Sequence, residues 1–133
     1  ADELWTTMGH LYKGGMWFKK KSVLQAEGHY NTEKSADNTT DMRTTYKYYE
    51  NINSSIYNSG LPSAADANKY FYLPALGRYL SGQLGSVSTV GYYWSSSAYP
   101  WVSNGACCLY FSSAYVYLYG FNRRNGNRAE AFQ

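Results

Sequence analysis

The sequence predicts an α+β domain built from short antiparallel strands and one or two helices. An amphipathic stretch in the first half favours a helix, and short aromatic segments separated by turn residues in the second half favour antiparallel strands. The length of 133 residues suits one compact domain. We therefore expect residues 1–133 to form a single domain, with residues 1–60 as its N-terminal strand, loop and helix part.

The N-terminal part is expected to begin with one or two short strands. Apolar and polar residues alternate weakly from Trp5 to Leu24, around a turn at Gly14-Gly15. The polar stretch from Glu27 to Asp41 is typical of a long loop. From Met42 to Ile56, apolar residues recur every three to four positions after an N-cap-like Thr40-Asp41, which predicts a helix.

The rest of the chain is expected to be mostly strand. Residues 63–69 suit a short helical turn, and Tyr70 to Pro74 read as a strand that proline ends. Four short aromatic strands are expected after Gly77: Gly91 to Ser97, Ala106 to Ser112, Tyr115 to Phe121, and Arg128 to Phe132. Asn125-Gly126 predicts a tight hairpin between the last two, since both residues accept the positive φ of a type I′ turn.

The composition of the chain restricts the kinds of partner that it is expected to have. The net charge of +3 comes without a clustered basic stripe, so nucleic acid is not an expected partner. No apolar run reaches transmembrane length, and we expect no membrane insertion by this domain. The start at Ala1 is not a signal peptide, which leaves a removed signal or a longer parent chain. Sixteen tyrosines suit a Tyr-rich binding surface, although strand propensity alone also favours Tyr.

The segment from Leu109 to Phe121 alternates between two sets of residues. Period two predicts that Leu109, Phe111, Val116, Leu118 and Gly120 face the core. The other set, predicted to face outward, is Tyr110, Ser112, Tyr115, Tyr117, Tyr119 and Phe121. A contiguous exposed aromatic patch usually marks an interaction site, whereas the alternative is a second buried layer.

Several motifs together resemble the variable proteins of diversity-generating retroelements, particularly those of gut Bacteroidales and their phages. They are Tyr70-Phe71-Tyr72-Leu73-Pro74-Ala75-Leu76-Gly77, Gly91-Tyr92-Tyr93-Trp94-Ser95-Ser96-Ser97, the framework positions Leu109, Phe111, Ser113 and Val116, and the closing Arg123 to Gly126. The resemblance covers residues 61–133 well and the N-terminal part loosely. It implies a C-type-lectin-like fold with a variable C-terminal sheet surface.

Such families rewrite AAC codons to NNC codons, which cannot encode Trp, Lys, Glu, Gln or Met. Between Ser95 and Arg128 there is no Lys, Glu, Gln, Met or Asp, and Trp101 would be framework. The resemblance thus implies a candidate variable region at residues 92–128. Its implied ligand-binding positions are Tyr99, Val102, Gly105, Cys107, Cys108, Tyr110, Ser112, Ala114, Tyr115, Tyr117, Tyr119, Phe121 and Arg124. Many relatives close with a Val-Arg pair, whereas this chain has Glu130 in place of that arginine.

The residues give little support to metal binding or to enzymatic catalysis. The calcium-binding motifs of lectins are missing, and His10 and His29 lack metal-ligand spacing, so no cofactor or metal is expected. The serines at 95–97 have no catalytic context, and no enzymatic activity is expected. An oxidase of the formylglycine-generating type remains the sharpest enzymatic alternative, although Cys107 and Cys108 are vicinal, which is the wrong spacing for its copper site.

The expected function is therefore that of a hypervariable, extracellular ligand-binding domain. The resemblance implies a parent that is a pilus-tip adhesin, a cell-surface protein or a phage receptor-binding protein. Its expected partner is a protein or glycan on another cell or host surface. The alternative is a structural pilus or virion subunit that uses the same aromatic face for permanent assembly.

Overall fold

The structure, a computed structural model, describes residues 3–7, 9–28, 41, 49–52, 61–99 and 102–129. Within these ranges the chain forms strands β1 to β10, one short helix and one 3₁₀ turn. The named strands pair in antiparallel fashion throughout. This arrangement is that of a small α+β or mostly-β fold, as the sequence predicted at the level of fold class.

The N-terminal residues form more structure than the sequence predicted. Strands β1 (Leu4–Thr7) and β2 (His10–Lys13) form a hairpin in which Trp5 stacks on Tyr12 at 4.7 Å between ring centroids. Strand β3 (Gly15–Lys19) follows, and helix α1 (Lys21–Ala26) takes up residues that were expected to extend a strand. Leu, Gln, Ala and Lys are good helix formers, and a six-residue helix is too short to display a clear period.

The helix predicted from Met42 to Ile56 is wrong at residues 49–52. These residues form strand β4 (Tyr49–Ile52), which pairs with β10 (Tyr115–Asn122) so that Ile52 lies opposite Tyr115. Tyr and Ile favour strands, and pairing with β10 satisfies backbone groups that an open sheet edge would leave free. The helical spacing could not reveal this partner; the rest of the predicted helix lies outside the described residues, as does the loop at 29–40.

The middle of the chain follows the prediction closely. A 3₁₀ turn at Ala67–Lys69 confirms the short helical turn, and β5 (Tyr70–Pro74) confirms the strand that proline ends. Strand β5 pairs with β3. A hairpin of β6 (Arg78–Leu80) and β7 (Gln83–Gly85) comes next. Its turn, Ser81-Gly82, has positive φ angles of 51° and 79°, the backbone that a type I′ turn requires.

The largest sheet has the strand order β4-β10-β9-β8. Strands β8 (Gly91–Ala98), β9 (Gly105–Phe111) and β10 confirm three of the four aromatic strands predicted after Gly77. Strand β9 lies between the other two and pairs with both. The three strands form a continuous surface from which side chains project alternately to either side.

The predicted hairpin at Asn125-Gly126 is not formed. Neither residue has a positive φ. Instead, the backbone of Gly126 exchanges hydrogen bonds of 3.0 and 2.9 Å with Tyr79, and Arg128 bridges to Tyr93. A Cβ on Gly126 would lie 2.7 Å from the Cβ of Tyr79, so glycine here permits close approach of two backbones. Residues 130–132 of the predicted last strand lie outside the described part.

The core lies between the β3–β5 pair and one face of the large sheet. Its buried residues are Leu73, Ala75, Tyr93 and Phe111, with Met16, Phe18, Phe71, Leu76, Leu109 and Val116 packed around them. Phe111 contacts Phe18 and Tyr93 at ring-centroid distances of 5.4 and 6.0 Å. The Tyr93 hydroxyl donates a 2.6 Å hydrogen bond to the carbonyl of Pro74. Burial of the ring is thus achieved without an unpaired hydroxyl.

Candidate functional site

The candidate site is the face of the β8–β9–β10 sheet opposite the core. Directly paired residues of antiparallel strands lie on the same face. Phe111 pairs with Gly91 and Val116, whereas Tyr110 pairs with Tyr92 and Tyr117. We call the second face the aromatic face; its register positions are Tyr92, Trp94, Ala106, Cys108, Tyr110, Tyr115, Tyr117, Tyr119 and Phe121.

The predicted division between the two faces is confirmed at most positions. Phe111 is 2% exposed, and Leu109 and Val116 pack against the core. Leu118 was also predicted to face the core, yet its side chain is 38% exposed. The core cluster includes Val116 but not Leu118. Alternation therefore predicted the correct face of the sheet for Leu118 but not how far its side chain is buried.

One end of the aromatic face is a packed cluster. Tyr92 is only 8% exposed, and its ring contacts those of Tyr110 and Phe121 edge to face, at 5.1 and 5.8 Å. The guanidinium carbon of Arg78 lies 4.6 Å from the Tyr92 ring centroid and 5.7 Å from that of Phe121. Tyr110 and Phe121 are therefore half-buried, although the sequence predicted them to face outward without cover. We call Arg78, Tyr92, Tyr110 and Phe121 the arginine cluster.

Cys108 was predicted to face outward at the margin of the site, and this is wrong. It lies on the aromatic face, but its side chain is 0% exposed. The Asn127 amide donates a 3.3 Å hydrogen bond to its Sγ, and the thiol contacts the Leu109 carbonyl at 3.4 Å. Burial is the main cause that raises the pKa of the Cys108 thiol to about 12. A buried, protonated thiol is a packing group rather than a nucleophile or ligand.

Cys107 lies on the opposite face from Cys108, because consecutive residues of β9 point to opposite sides. Its side chain is half-buried, and burial raises the pKa of its thiol. The two sulfur atoms therefore cannot converge on one metal ion from the same side of the strand. This geometry weighs against the copper site of a formylglycine-generating oxidase. It also corrects the expectation that both cysteines border one surface.

Tyr99 and Gly105 also depart from the predicted outward set. The ring of Tyr99 lies where a Cβ on Gly120 would be, 2.5 Å from its atoms, and a Cβ on Gly105 would lie 2.9 Å from the same ring. Gly105 is buried and Tyr99 is half-buried. Gly120 and Gly105 lie on the core side of the sheet by register. Tyr99 thus fills a space that these glycines leave, and it does not border the aromatic face.

Among the remaining predicted positions, Val102, Tyr115 and Arg124 are exposed, and we call these three residues the rim. Val102 is 44% exposed and Tyr115 is 38% exposed, and the Arg124 side chain is exposed as well. The Ser112 hydroxyl accepts hydrogen bonds from the backbone amides of Ala114 and Tyr115, which fixes the turn between β9 and β10. The side chains of Tyr117 and Tyr119, and the whole of Trp101, lie outside the described residues.

Sequence reasoning missed two participants of this site. Arg78 reaches the aromatic face because Gly77 bridges to Gly91, the residue before Tyr92. Asn127 reaches Cys108 because its segment lies beside β8. Both contacts depend on pairing between distant parts of the chain, which local periodicity cannot reveal. Alternation in Gly91-Tyr92-Tyr93 could have placed Tyr92 on the face opposite Tyr93.

The charged residues of this region are mainly cationic, although Glu50 of β4 lies opposite Tyr117 in the register. Residues 70–129 contain no Asp or Glu, and their charged residues are Arg78, Arg123, Arg124 and Arg128. Burial raises the pKa of Tyr92, and the charge of Arg78 opposes that rise. Across the ranges that the structure describes, no group of three or more metal-ligating side chains occurs, and none of the helices has the length and apolarity of a membrane span.

No protein-family model matches the chain, and neither a curated protein nor a solved structure is significantly similar to it. The assignment of function therefore depends on the geometry and chemistry of the site.

Proposed function

We propose that this chain is a non-enzymatic ligand-binding domain that recognises a macromolecule with its aromatic face. The observation that carries the proposal is the register of β9 and β10, which puts Tyr110, Tyr115 and Phe121 on the face opposite Phe111. The core cluster contains none of these three residues. Tyr and Phe provide large, rigid contact areas that lose little conformational entropy on binding. Their arrangement beside an exposed rim supports recognition rather than catalysis.

The finer proposal is a C-type-lectin-like domain whose surface is diversified by a retroelement. The support is the amino-acid usage of residues 95–128, which lacks Lys, Glu, Gln and Met, together with the separation of most rim residues from the core. An adhesin at a cell surface or pilus tip, or a receptor-binding protein of a phage, is the setting that this proposal implies. The ligand would be a protein or glycan on another cell or host.

The decisive test is a selection from a displayed library. Positions Val102, Tyr115, Tyr117, Tyr119 and Arg124 are randomised and sorted first for folded display, then for binding to a protein target that the parent does not bind. We expect most members to fold and some to bind, because the outward positions contribute little to the core. A library in which few members fold, or from which no binder emerges, would contradict the proposal.

The proposal of retroelement diversification has its own test in the neighbouring DNA. We expect a reverse-transcriptase gene and a near-copy of the last third of this coding sequence that differs at adenines. Mismatches scattered equally over all four bases would contradict diversification, while leaving the binding proposal intact.

A permanent structural role is a second candidate, favoured by apolar residues far from the aromatic face. Leu4 and Leu11 are 63% and 65% exposed and share one face of the β1–β2 hairpin by register. Such residues are typical of surfaces that another subunit covers. Size-exclusion chromatography with light scattering separates the two candidates. A stable monomer supports the ligand-binding proposal, whereas an obligate oligomer that Leu11→Lys dissociates supports assembly.

A further inference from the structure

The position of Arg78 is set by the backbone around it. It follows Gly77, which has a φ of +65° and whose amide donates a 2.8 Å hydrogen bond to the Val90 carbonyl. A Cβ on Gly77 would lie 2.0 Å from the Gly85 carbonyl oxygen, so only glycine allows this tight path. The path brings the first residue of β6 beside β8, where its side chain extends over Tyr92.

The stacking of Arg78 leaves its hydrogen-bond donors available. A guanidinium is flat, and contact with aromatic rings occupies its faces while its N–H groups point outward along its edges. Arg78 is half-buried, so part of the group is accessible. In the part of the chain that the structure describes, the guanidinium makes no hydrogen bond and no ion pair. The rings of Tyr92 and Phe121 therefore orient a cation whose donors have no acceptor among the described residues.

The segment that forms the cluster provides no counter-charge of its own, and Glu50, which register places on the same face, lies on β4, three strands away from Tyr92 on β8. Residues 70–129 carry four arginines and no carboxylate. An oriented guanidinium next to apolar rings attracts an anion more strongly than a freely hydrated one, because less water screens the interaction. The local chemistry is complementary to a carboxylate, which accepts two parallel hydrogen bonds from the edge of a guanidinium.

We propose that the arginine cluster is an anion-recognition subsite that receives an Asp or Glu side chain of a protein ligand. This inference rests on the proposed binding function of the aromatic face and specifies the chemistry of its ligand. A peptide carboxylate fits better than an acidic sugar, because sugars bind by stacking on open ring faces. The Tyr92 ring beside the guanidinium is only 8% exposed and is covered by Arg78.

The test measures binding of a fluorescein-labelled oligoglutamate peptide by anisotropy, with an oligolysine peptide as the matched probe. We expect the oligoglutamate alone to bind, and Arg78→Gln to weaken its affinity about ten-fold or more, as expected for a charge-assisted hydrogen bond. Arg78→Lys keeps the charge and loses the planar fork, so we expect several-fold weakening. Arg128→Gln removes the same charge from an exposed residue outside the implied ligand-binding positions and should change the affinity about two-fold at most.

Each contrary outcome has a distinct meaning. Equal losses in the Arg78→Gln and Arg128→Gln variants, or full retention by Arg78→Lys, would overturn the subsite in favour of diffuse charge attraction. Stronger Arg78-dependent binding of a heparin oligosaccharide than of oligoglutamate would overturn the choice of a protein ligand. No binding of oligoglutamate, while the displayed library still produces binders, would refute this inference and leave the proposed function standing.

The wild-type protein offers a second measurement that does not depend on the folding of a variant. In a titration with oligoglutamate followed by NMR, the Nε–H signal of Arg78 should shift and saturate, while that of Arg128 moves little. A signal of Arg78 that does not respond would count against the subsite even if every variant unfolded.

Discussion

The two faces of the β8–β9–β10 sheet both carry aromatic rings but use them differently. On the core face, Phe111 and Tyr93 are 2% and 0% exposed and are enclosed by residues from β3 and β5. On the aromatic face, Tyr110 and Phe121 pack on Tyr92 at one end, while Tyr115 remains 38% exposed at the other. Within three strands, the residues that stabilise the fold are thus distinct from the exposed part of the surface that is proposed to bind a ligand.

The boundary between the buried scaffold and the accessible part of the sheet does not coincide with the boundary between its two faces. Cys108 and Tyr92 lie on the aromatic face and are nevertheless buried, whereas Leu118 lies on the core side and is exposed. Depth depends on what covers each strand position. Arg78 packs over Tyr92, and Asn127 hydrogen-bonds to Cys108. We therefore expect Cys108 and Tyr92 to behave as scaffold residues in the measurements below.

The largest effect is expected at the centre of the core face. Phe111→Ala should lower the free energy of unfolding by about 3–5 kcal/mol, because it removes buried apolar surface and leaves a cavity. Leu118→Ala, on the same side of the sheet but 38% exposed, is the matched control and should cost less than about 1 kcal/mol. Chemical denaturation measures both. Equal costs would mean that the core extends under Leu118.

A smaller effect is expected from adding one methyl group to the core face. A Cβ on Gly91 would lie 2.1 Å from the Phe111 ring, so Gly91→Ala should destabilise by about 1–3 kcal/mol through overpacking. Gly85→Ala is the control, since nothing lies within 4 Å of its Cβ and its φ is not positive. It should be neutral or slightly stabilising. Similar melting temperatures for both variants would show that the Phe111 ring can move to make room for the methyl group at little cost.

Because the Cys108 thiol is buried, the protein is expected to lose stability as the pH rises into the alkaline range. The pKa of Cys108 is raised from 9.0 to about 12, so the folded state keeps a proton that the unfolded state releases. The stabilisation is complete below about pH 9 and is lost as the pH rises toward 12, at up to about 1.4 kcal/mol per pH unit. Tyr92, whose pKa is also raised, adds to the same trend.

Denaturation of Cys108→Ala between pH 8 and 11 checks this prediction. The variant should lose much of the alkaline slope, whereas Cys107→Ala, which replaces a half-buried thiol, should keep most of it. Identical slopes in both variants would mean that Cys108 is not buried as described.

The smallest effect on stability is expected at the rim. Tyr115→Ala should change the free energy of unfolding by no more than about 0.5 kcal/mol, because its side chain is 38% exposed. Its effect on ligand affinity should be larger, since Tyr is one of the residue types that most often carry binding energy. Thermal melts and binding assays on the same preparation separate the two effects. A large loss of stability would mean that Tyr115 is one of the residues that stabilise the fold.

The sequence predicted strands β5, β8, β9 and β10 because their patterns are local. Alternation also distinguished Phe111 from Tyr110, since period two directly encodes the face. It failed for β4, whose partner β10 lies far along the chain. It failed again at Gly126, whose glycine serves close approach to Tyr79 and not a turn.

Because local patterns do not reveal contacts between distant segments, the sequence predicted the candidate site only in part. The rim residues Val102, Tyr115 and Arg124 lie at the surface as predicted. The cover over Cys108 and the approach of Arg78 depend on segments brought together by pairing across the fold. No local signal marks either contact, so the sequence indicated the face and the structure indicates which part of it is accessible.

The most direct test of the central claim is a scan of single substitutions across residues 91–122, measured as protease resistance of the displayed protein. We predict that tolerance alternates along β9, with large losses at Phe111 and Leu109 and smaller losses at the half-buried Tyr110. Cys108 should be the exception on the aromatic face, with losses comparable to those at Leu109. Uniform intolerance along β9 and β10, or tolerance at Phe111 together with losses at Tyr115, would contradict the separation of fold from recognition.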